Sequence, residues 1–311
     1  MLTPEAAARA TIDAALVAAG WAVQDAARID ISAGRGVAVR AFPLGKGYGE
    51  ADYLLYVDGE AVGVVEAKRE GETLSGVEIQ AEKYSEGVPK SVPAPVRPLP
   101  FLYQSTGIET RFTNRLDPDP RSREVFCFHR PETLAAWITP DPTAGLRSLR
   151  TRLRTMPPMI ATGLWPAQLI AVQNIERSLG QDRPRALVQM ATGSGKTITA
   201  IASIYRLIKH GGAGRVLFLV DRLNLGKQAR TEFEQYTTPD DGRKFTELYN
   251  VQLLTSNRID TVAKVCITTI QRLYSMLQGE AEFDPGLEEG SQFDTGAGAF
   301  GQPVEVAYNP S

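Results

Sequence analysis

The sequence has few cysteines, no long apolar run and no excess of charge of one sign. Its two cysteines, Cys127 and Cys266, lie far apart, which excludes a disulfide framework and indicates a reducing, cytoplasmic compartment. No stretch reaches the ~18 consecutive apolar residues of a transmembrane helix. The alanine-rich start is interrupted by Arg9 and Asp13 and has no basic region before it, so no signal peptide is predicted.

The balance of charges also argues against one kind of protein surface. Lysine and arginine number 34 against 36 aspartates and glutamates, and the formal net charge of −2 argues against a globally basic coat for nucleic acid. A local basic groove stays compatible with this composition. What the sequence does contain is 43% hydrophobic residues over 311 positions, enough for two folded domains with their own cores.

The first part of the chain is predicted to combine two helices with short strands. A helix is expected over 4–19, closed by Gly20, and a second one opens with a capping box at 75–78 and runs to about residue 86. The proline-rich stretch 88–100 excludes a regular element. Strands are expected at 52–57 and 61–66, which flank the turn signal Asp58-Gly59, and at 100–104, 111–113 and 125–128.

The second part alternates short apolar runs with helical segments, a pattern that predicts a parallel βαβ sheet. Buried strands are expected at 185–190, 216–220 and 265–269, and helices at 195–210, 225–236 and 271–278. Residues 139–160 are rich in proline, threonine and arginine, which predicts a linker between a domain at 1–138 and another at 161–311. The last thirty residues have no periodicity and are expected to form a loop or tail.

The clearest motif is MATGSGKT at 190–197, between a predicted strand and a predicted helix. Its glycines let backbone N–H groups curl around phosphate oxygens at the start of the helix. Lys196 is expected to reach the β- and γ-phosphates of ATP, and the Thr197 hydroxyl to hold Mg²⁺. A glycine-rich turn without function explains this combination poorly. The predicted cofactor-binding residues of the loop are Thr192, Gly193, Ser194, Gly195, Lys196 and Thr197.

This loop resembles motif I of the superfamily 2 helicases and translocases. The resemblance implies that Gln168 reads the adenine edge, although Trp165 and Ala167 replace the family's usual arginine and tyrosine. The segments 216–222 and 267–271 look like motifs Ia and Ib, which face the nucleic-acid backbone in that family. Arg222, Gln228 and Thr268 are therefore expected to contact DNA; for Arg222 and Gln228 a solvated loop and helix face is the alternative.

A second constellation consists of Asp52 followed by Glu66-Ala67-Lys68, the D…ExK spacing of PD-(D/E)xK nucleases. Two carboxylates supply the hard oxygen ligands that Mg²⁺ prefers, and Lys68 can orient water or neutralise the scissile phosphate. The triple alone is weak, because E-x-K is frequent in exposed strands. Gln80 and Tyr84 share a face of the next helix and resemble the Q-x-x-x-Y element of helicase-linked members, with an ordinary amphipathic surface as the alternative.

The hairpin places a constraint on this nuclease hypothesis. Asp52 shares a sheet face with Glu66 and Lys68 if paired positions sum to 118, whereas a tight Asp58-Gly59 turn would pair Asp52 with Val65. The hypothesis therefore predicts a loop of three or five residues, or a β-bulge, against the strongest local turn signal.

With Gly20-Trp21, 101–107 and 189–197, the whole chain looks like the restriction (motor) subunit of type I restriction-modification enzymes. The resemblance implies an α/β fold: a PD-(D/E)xK nuclease-like domain followed by an incomplete RecA-like parallel-sheet P-loop domain. It also implies Mg²⁺-dependent cleavage of DNA coupled to ATP-driven translocation of double-stranded DNA, with methyltransferase and specificity subunits as partners. Glu5 matches an acidic position near the family's nuclease site.

The sequence departs from the family in one respect. No DExH box occurs, although the family has one soon after a segment like 306–310, so an N-terminal portion without ATP turnover of its own is expected. Two alternatives stay open. One is a superfamily 2 repair or remodelling ATPase with a non-catalytic DNA-binding or docking domain at its N-terminus, and the other is an adaptor without enzymatic activity.

Overall fold

The computed structural model describes residues 4–74, 78–140, 148–183 and 185–289. The chain divides into two units, Met1–Thr151 and Arg152–Ser311, and the division lies within the segment 139–160. Sequence patterns did not predict the short helix at this division, Leu149–Arg154. Among the described residues, no helix has both the length and the apolar composition needed to cross a bilayer.

The first unit is built on a mixed seven-stranded sheet whose strands lie side by side in chain order. β1 runs parallel to β2 and β4 parallel to β5, and the other neighbours are antiparallel. The predicted strand at 125–128 is wrong in its bounds, since β7 ends at Val125. The strands are β1 (Ala22–Asp25), β2 (Gly36–Pro43), β3 (Glu50–Val57), β4 (Glu60–Ala67), β5 (Phe101–Ser105), β6 (Thr110–Asn114) and β7 (Arg123–Val125).

Helices cover both faces of this sheet. They are α1 (Pro4–Ala18), α2 (Glu78–Glu86) and α3 (Pro131–Ile138), while α4 (Leu149–Arg154) contains the division between the two units. Ile12 of α1 packs in one core with Tyr53, whereas Ala81 of α2 belongs to a second core with Leu54. β3 and β4 therefore carry apolar residues toward both faces, as sequence patterns predicted. No helix or strand lies between α2 and β5, which confirms the prediction for the proline-rich stretch.

The β3–β4 hairpin has both a tight turn and a bulge. Asp58 and Gly59 take positive φ angles of 50° and 82°, as a two-residue type I′ turn requires. Next to the turn, paired positions sum to 117, but the register shifts between Tyr56 and Leu55, and Leu55 pairs with Gly63. Val62 is the additional residue, and from there paired positions sum to 118. The β-bulge that the nuclease hypothesis required is confirmed.

The second unit contains a parallel three-stranded sheet in the order β8-β10-β9. The predicted parallel sheet and the helices near 195–210, 225–236 and 271–278 are confirmed, whereas α5, α8 and β9 were not predicted. The elements are α5 (Pro166–Gly180), α6 (Lys196–Lys209), β8 (Val216–Val220), α7 (Leu223–Gln235), α8 (Phe245–Leu248), β9 (Val251–Leu253), β10 (Val265–Thr269) and α9 (Ile270–Leu277). The core of this unit contains Ile201, Phe233, Phe245 and Ile267.

The prediction of a buried strand at 185–190 is wrong. These residues form neither strand nor helix, and the Leu187 side chain is 95% exposed. An isolated strand leaves its backbone groups unpaired, and none of the described strands pairs with this segment. β8 was also predicted to be buried, but Leu217 and Leu219 are 43% and 47% exposed, because β8 is an edge strand of the described sheet.

Candidate functional site

Asp52 and Glu66 meet on the α2 side of the first sheet. Continuing the β3–β4 register by one step beyond Tyr53 and Val65 places Asp52 opposite Glu66. The backbone N–H of Ala67 donates a hydrogen bond of 3.0 Å to Asp52 Oδ2, which holds this carboxylate against the end of β4. The bulge therefore brings the two acidic residues of the predicted triple together.

Lys68 completes the triple. Its Nζ lies 2.8 Å from Glu66 Oε1, and the Glu66 side chain is only 2% exposed. Burial raises the pKa of the Glu66 carboxyl group, and the neighbouring Asp52 charge raises it further, while Lys68 and a hydrogen bond from Tyr84 act in the opposite direction. The site thus holds one buried and one more accessible carboxylate beside a lysine.

Tyr84 comes from α2, which packs against β4 and β5. Gln80 lies one turn earlier on the same helix, but its side chain is outside the described residues, as are residues 75–77 of the predicted capping box. The side chain of Glu5 on α1 is likewise outside them. The structure therefore brings Tyr84 to Glu66 and leaves Gln80 and Glu5 as predictions.

Sequence reasoning missed Arg9, which belongs to this site. Its Nη2 lies 2.6 Å from Asp52 Oδ1, so α1 contributes a positive charge to the carboxylate pair. No motif marks this arginine, which is one of the few polar residues on the alanine-rich helix α1. Its contact with Asp52, 43 positions later, appears only once the fold is known.

The donor set fits a hard cation such as Mg²⁺. Within the described ranges, no group of three or more histidines, cysteines, aspartates and glutamates could hold a metal. A metal at this site would therefore have two carboxylate ligands from the protein, Asp52 and Glu66. Glu66 Oε2 is buried and has no hydrogen-bond partner. A buried carboxylate oxygen without a donor is unfavourable unless a cation or water meets it. Mg²⁺ commonly binds through one or two carboxylates and keeps several waters.

The phosphate-loop motif lies directly before α6. Gly193 and Gly195 both have φ angles of 78°, a conformation that side chains disfavour. A Cβ atom at Gly195 would lie 2.3 Å from Gln168 Nε2, so a side chain here would displace the Gln168 amide group. Lys196 Nζ donates to the backbone carbonyl oxygens of Ala191 at 3.1 Å and Met190 at 3.4 Å. Its ammonium group is therefore held over the loop.

Gln168 connects the phosphate loop to the start of α5 through hydrogen bonds of its side chain. Its Nε2 donates to the Ser194 carbonyl oxygen at 2.9 Å, and its Oε1 accepts a hydrogen bond of 2.9 Å from the Trp165 backbone. The side chain is buried. A structural role in shaping the loop is thus visible, whereas reading of adenine stays a prediction. Thr192 is exposed in the loop, and Thr197 is half-buried in the first turn of α6.

The three residues expected to contact DNA have different environments. Arg222 directly precedes α7 and lies 3.5 Å from Asp221, and Gln228 is exposed and bonded to Glu232 at 3.2 Å. Thr268 is 1% exposed in the central strand β10, where its hydroxyl donates to a backbone carbonyl group. Its side chain has no surface for DNA, so this prediction is wrong for direct contact.

Two family models match the chain. Residues 24–97 match the model described as the second domain of the type I restriction enzyme EcoKI endonuclease subunit. Residues 162–292 match the model described as the res subunit of type III restriction enzymes. The first match includes the β3–β4 hairpin, and the second includes the phosphate loop.

Curated relatives agree with these models. The EcoKI endonuclease subunit of Escherichia coli (strain K12) is 30% identical over 86% of this chain and 27% of its own length. The SauCOLORF180P endonuclease subunit of Staphylococcus aureus (strain COL) is 25% identical over 76% of this chain and 25% of its own length. The chain thus spans about a quarter of the length of these relatives.

A solved fragment described as an HsdR subunit of a type I restriction enzyme from Vibrio vulnificus YJ016 is 18% identical, with a TM-score of 0.32 over 89% of this chain and 49% of that one. The family models and the curated sequences place the chain in the family of type I restriction enzyme endonuclease subunits, and it corresponds to an N-terminal portion of such a subunit.

Proposed function

We propose that this chain is the nuclease-bearing part of a type I restriction motor subunit, which cleaves DNA phosphodiester bonds with Mg²⁺ in a reaction coupled to ATP-driven translocation. One observation carries the cleavage half of the proposal. The bulge at Val62 places Asp52 and Glu66 on one face, with Lys68 2.8 Å from Glu66 and a Glu66 oxygen left for a cation.

Each residue of the site has a distinct part in this reaction. Asp52 and Glu66 would hold Mg²⁺, which activates a water molecule and stabilises the charge developing on the phosphate. Lys68 orients the attacking water or neutralises the scissile phosphate. Tyr84 positions the Glu66 carboxyl group through its hydrogen bond. Gln80 is proposed to act from the same helix.

The motor half of the proposal places ATP at the phosphate loop. Backbone N–H groups around Gly193 and Gly195 surround the phosphates, and Lys196 moves from its carbonyl contacts to the β- and γ-phosphates. Thr197 is proposed to hold a second Mg²⁺, the one bound to ATP. We further propose that the first unit is a PD-(D/E)xK-like domain and the second a RecA-like one, joined within 139–160.

The proposed partners follow from the family. Double-stranded DNA is the substrate, and methyltransferase and specificity subunits complete the enzyme. Arg222 and Gln228 are proposed to face the DNA backbone. Arg222 follows the end of β8, and Gln228 lies on the next helix, α7. The free thiols of Cys127 and Cys266 suit a cytoplasmic protein.

The test is cleavage by the enzyme assembled with its methyltransferase and specificity subunits. Lys68→Ala should abolish DNA cleavage and leave ATP hydrolysis and translocation intact. Glu60→Gln, an exposed position of the same hairpin, is the matched control and should cleave normally. Normal cleavage by Lys68→Ala would contradict the proposal and favour a non-catalytic docking domain, and loss of all activities would indicate misfolding.

A further inference from the structure

Gln104 lies directly beside Glu66 on the neighbouring strand. β4 and β5 are parallel, and their register pairs Glu66 with Gln104. Paired residues of neighbouring strands point to the same side of a sheet, with backbones about 4.8 Å apart. Gln104 therefore shares the α2 side with Asp52 and Glu66, although neither the D…ExK nor the Q-x-x-x-Y pattern includes it.

Both side chains bury an oxygen atom without a hydrogen-bond donor. Glu66 and Gln104 are each 2% exposed, and neither Glu66 Oε2 nor Gln104 Oε1 has a hydrogen-bond partner. Two neighbouring acceptors without a donor are unfavourable in a protein interior. The two orphaned oxygens at adjacent register positions indicate that something positive is held near both.

We propose that the amide oxygen of Gln104 is a third protein ligand, beside Asp52 and Glu66, of the divalent cation at this site. The inference rests on the proposed function, because it extends the cation site assigned there. Amide oxygens are ordinary ligands of hard cations, and three oxygens leave coordination positions for water and phosphate. The nearby cationic groups contact other oxygen atoms: Lys68 lies against Glu66 Oε1, and Arg9 lies against Asp52 Oδ1.

The choice of an amide at this position has a physical reason. The β3–β4 register already brings the Asp52 carboxylate beside the buried Glu66 carboxylate. A third buried carboxylate would add like-charge repulsion, whereas a glutamine supplies a ligand oxygen without a further negative charge. The competing arrangement is a rotated amide, in which Nε2 donates to Glu66 Oε2 and Gln104 merely positions that carboxylate.

Calorimetric titration of the 311-residue chain with Mn²⁺ and with Mg²⁺ separates these arrangements. Gln104→Leu should weaken cation binding by about 10- to 100-fold, the range known for changes around metal sites. Its melting temperature without metal should not fall, because the variant removes an unsatisfied acceptor. Gln104→Glu should melt lower without metal, bind the cation at least as tightly as the wild type, and recover stability on binding.

Ser105→Ala is the matched control on the opposite face of β5. It removes the 2.8 Å hydrogen bond between Ser105 and Thr110 and should leave cation affinity unchanged. Wild-type affinity in Gln104→Leu, or a lower metal-free melting temperature combined with weaker cation binding in Gln104→Glu, would overturn the inference. Absence of cation binding in the wild type would overturn the proposed function as well, so the two failures are distinguishable.

Discussion

The two units of this chain build their sites in opposite ways. In the first unit, Arg9, Asp52, Glu66 and Tyr84 come from four elements, and the register of a sheet brings them together. In the second unit, the predicted phosphate site is one continuous loop, whose Ser194 carbonyl oxygen accepts a hydrogen bond from Gln168. A site made of dispersed side chains depends on the whole fold, whereas a backbone loop depends mainly on its own residues.

The largest expected effect tests the independence of the two sites. Lys196→Ala should weaken binding of ATP by about 10- to 100-fold, since hydrogen bonds to charged groups contribute about 1.5–3 kcal/mol. Cation affinity at Asp52 and Glu66 should not change. Titration with a fluorescent ATP analogue measures the first quantity and calorimetry the second.

Lys209→Ala is the control for this prediction, because it removes the same charge from the other end of α6, where Lys209 pairs with Asp240. It should bind ATP normally. Equal loss of affinity in both variants would show that overall charge, and not the loop, determines nucleotide binding.

The dependence of the first site on its sheet can be broken at Gly63. A Cβ atom at this position would lie 2.4 Å from the Phe101 carbonyl oxygen, so Gly63→Ala should separate β4 from β5. We expect a loss of about 1–3 kcal/mol in the free energy of unfolding, typical of overpacking. Cation affinity should fall with it, while ATP affinity stays.

Urea unfolding of Gly63→Ala measures the loss, with Gly34→Ala as the control. A Cβ atom at Gly34 would have no neighbour closer than 3.8 Å, so this variant should keep its stability. If Gly63→Ala were as stable as the control and bound the cation normally, the close approach of β4 and β5 would not be what positions the site.

Sequence patterns predict the features of this chain that depend on neighbouring residues better than those that depend on distant contacts. The phosphate loop is predicted from the sequence because its proposed function depends on consecutive residues. Asp52, Glu66 and Lys68 are predicted from their spacing, and the proposed chemistry requires a bulge that the Asp58-Gly59 turn alone argues against. The nuclease hypothesis requires a bulge, but the sequence does not predict where it lies, because its position depends on how β4 packs against β5.

Other features depended on partners distant in sequence. The segment 185–190 was predicted to be a strand because it is apolar. A strand is stable only beside another strand, and no described strand pairs with this segment. Arg9 and Gln104 belong to neither the D…ExK nor the Q-x-x-x-Y pattern, and only the contact with Asp52 and the register with Glu66 place them at the site. Thr268 matched a motif, but burial in β10 removes it from the surface.

The units should also respond differently to acid. Burial lowers the pKa of His129 in the first unit to about 4, and Tyr103 holds its Nδ1 at 2.7 Å. The unfolded chain, with a histidine pKa near 6.5, then binds more protons between these values. Stability should therefore fall as the pH drops from about 6.5 to 4, by about 1–3 kcal/mol.

Urea unfolding at pH 7 and pH 5 checks this expectation. His129→Asn should remove most of the pH dependence of the first unit. His210→Asn in the second unit should change it less, because His210 is less buried and its pKa is lowered less. An unchanged pH dependence in His129→Asn would show that other groups are responsible.

The smallest effect is expected at Arg9. Its guanidinium group competes with a cation for Asp52 Oδ1, so Arg9→Gln should tighten cation binding a few-fold. Folding stability should change by less than about 1 kcal/mol, as for other exposed ion pairs. Arg35→Gln removes an equal charge from the pair with Asp58 and serves as the control in the same calorimetric titration. Weaker cation binding in Arg9→Gln would instead make Arg9 a support of Asp52.

The most direct test of the central claim, that the bulged register makes Asp52 and Glu66 one cation site, is anomalous diffraction from crystals of the chain containing Mn²⁺. We expect a single strong peak in the first unit, coordinated by oxygens of Asp52 and Glu66, with Arg9 displaced from Asp52. A peak elsewhere, or none while Arg9 stays bound to Asp52 and Lys68 to Glu66, would contradict it.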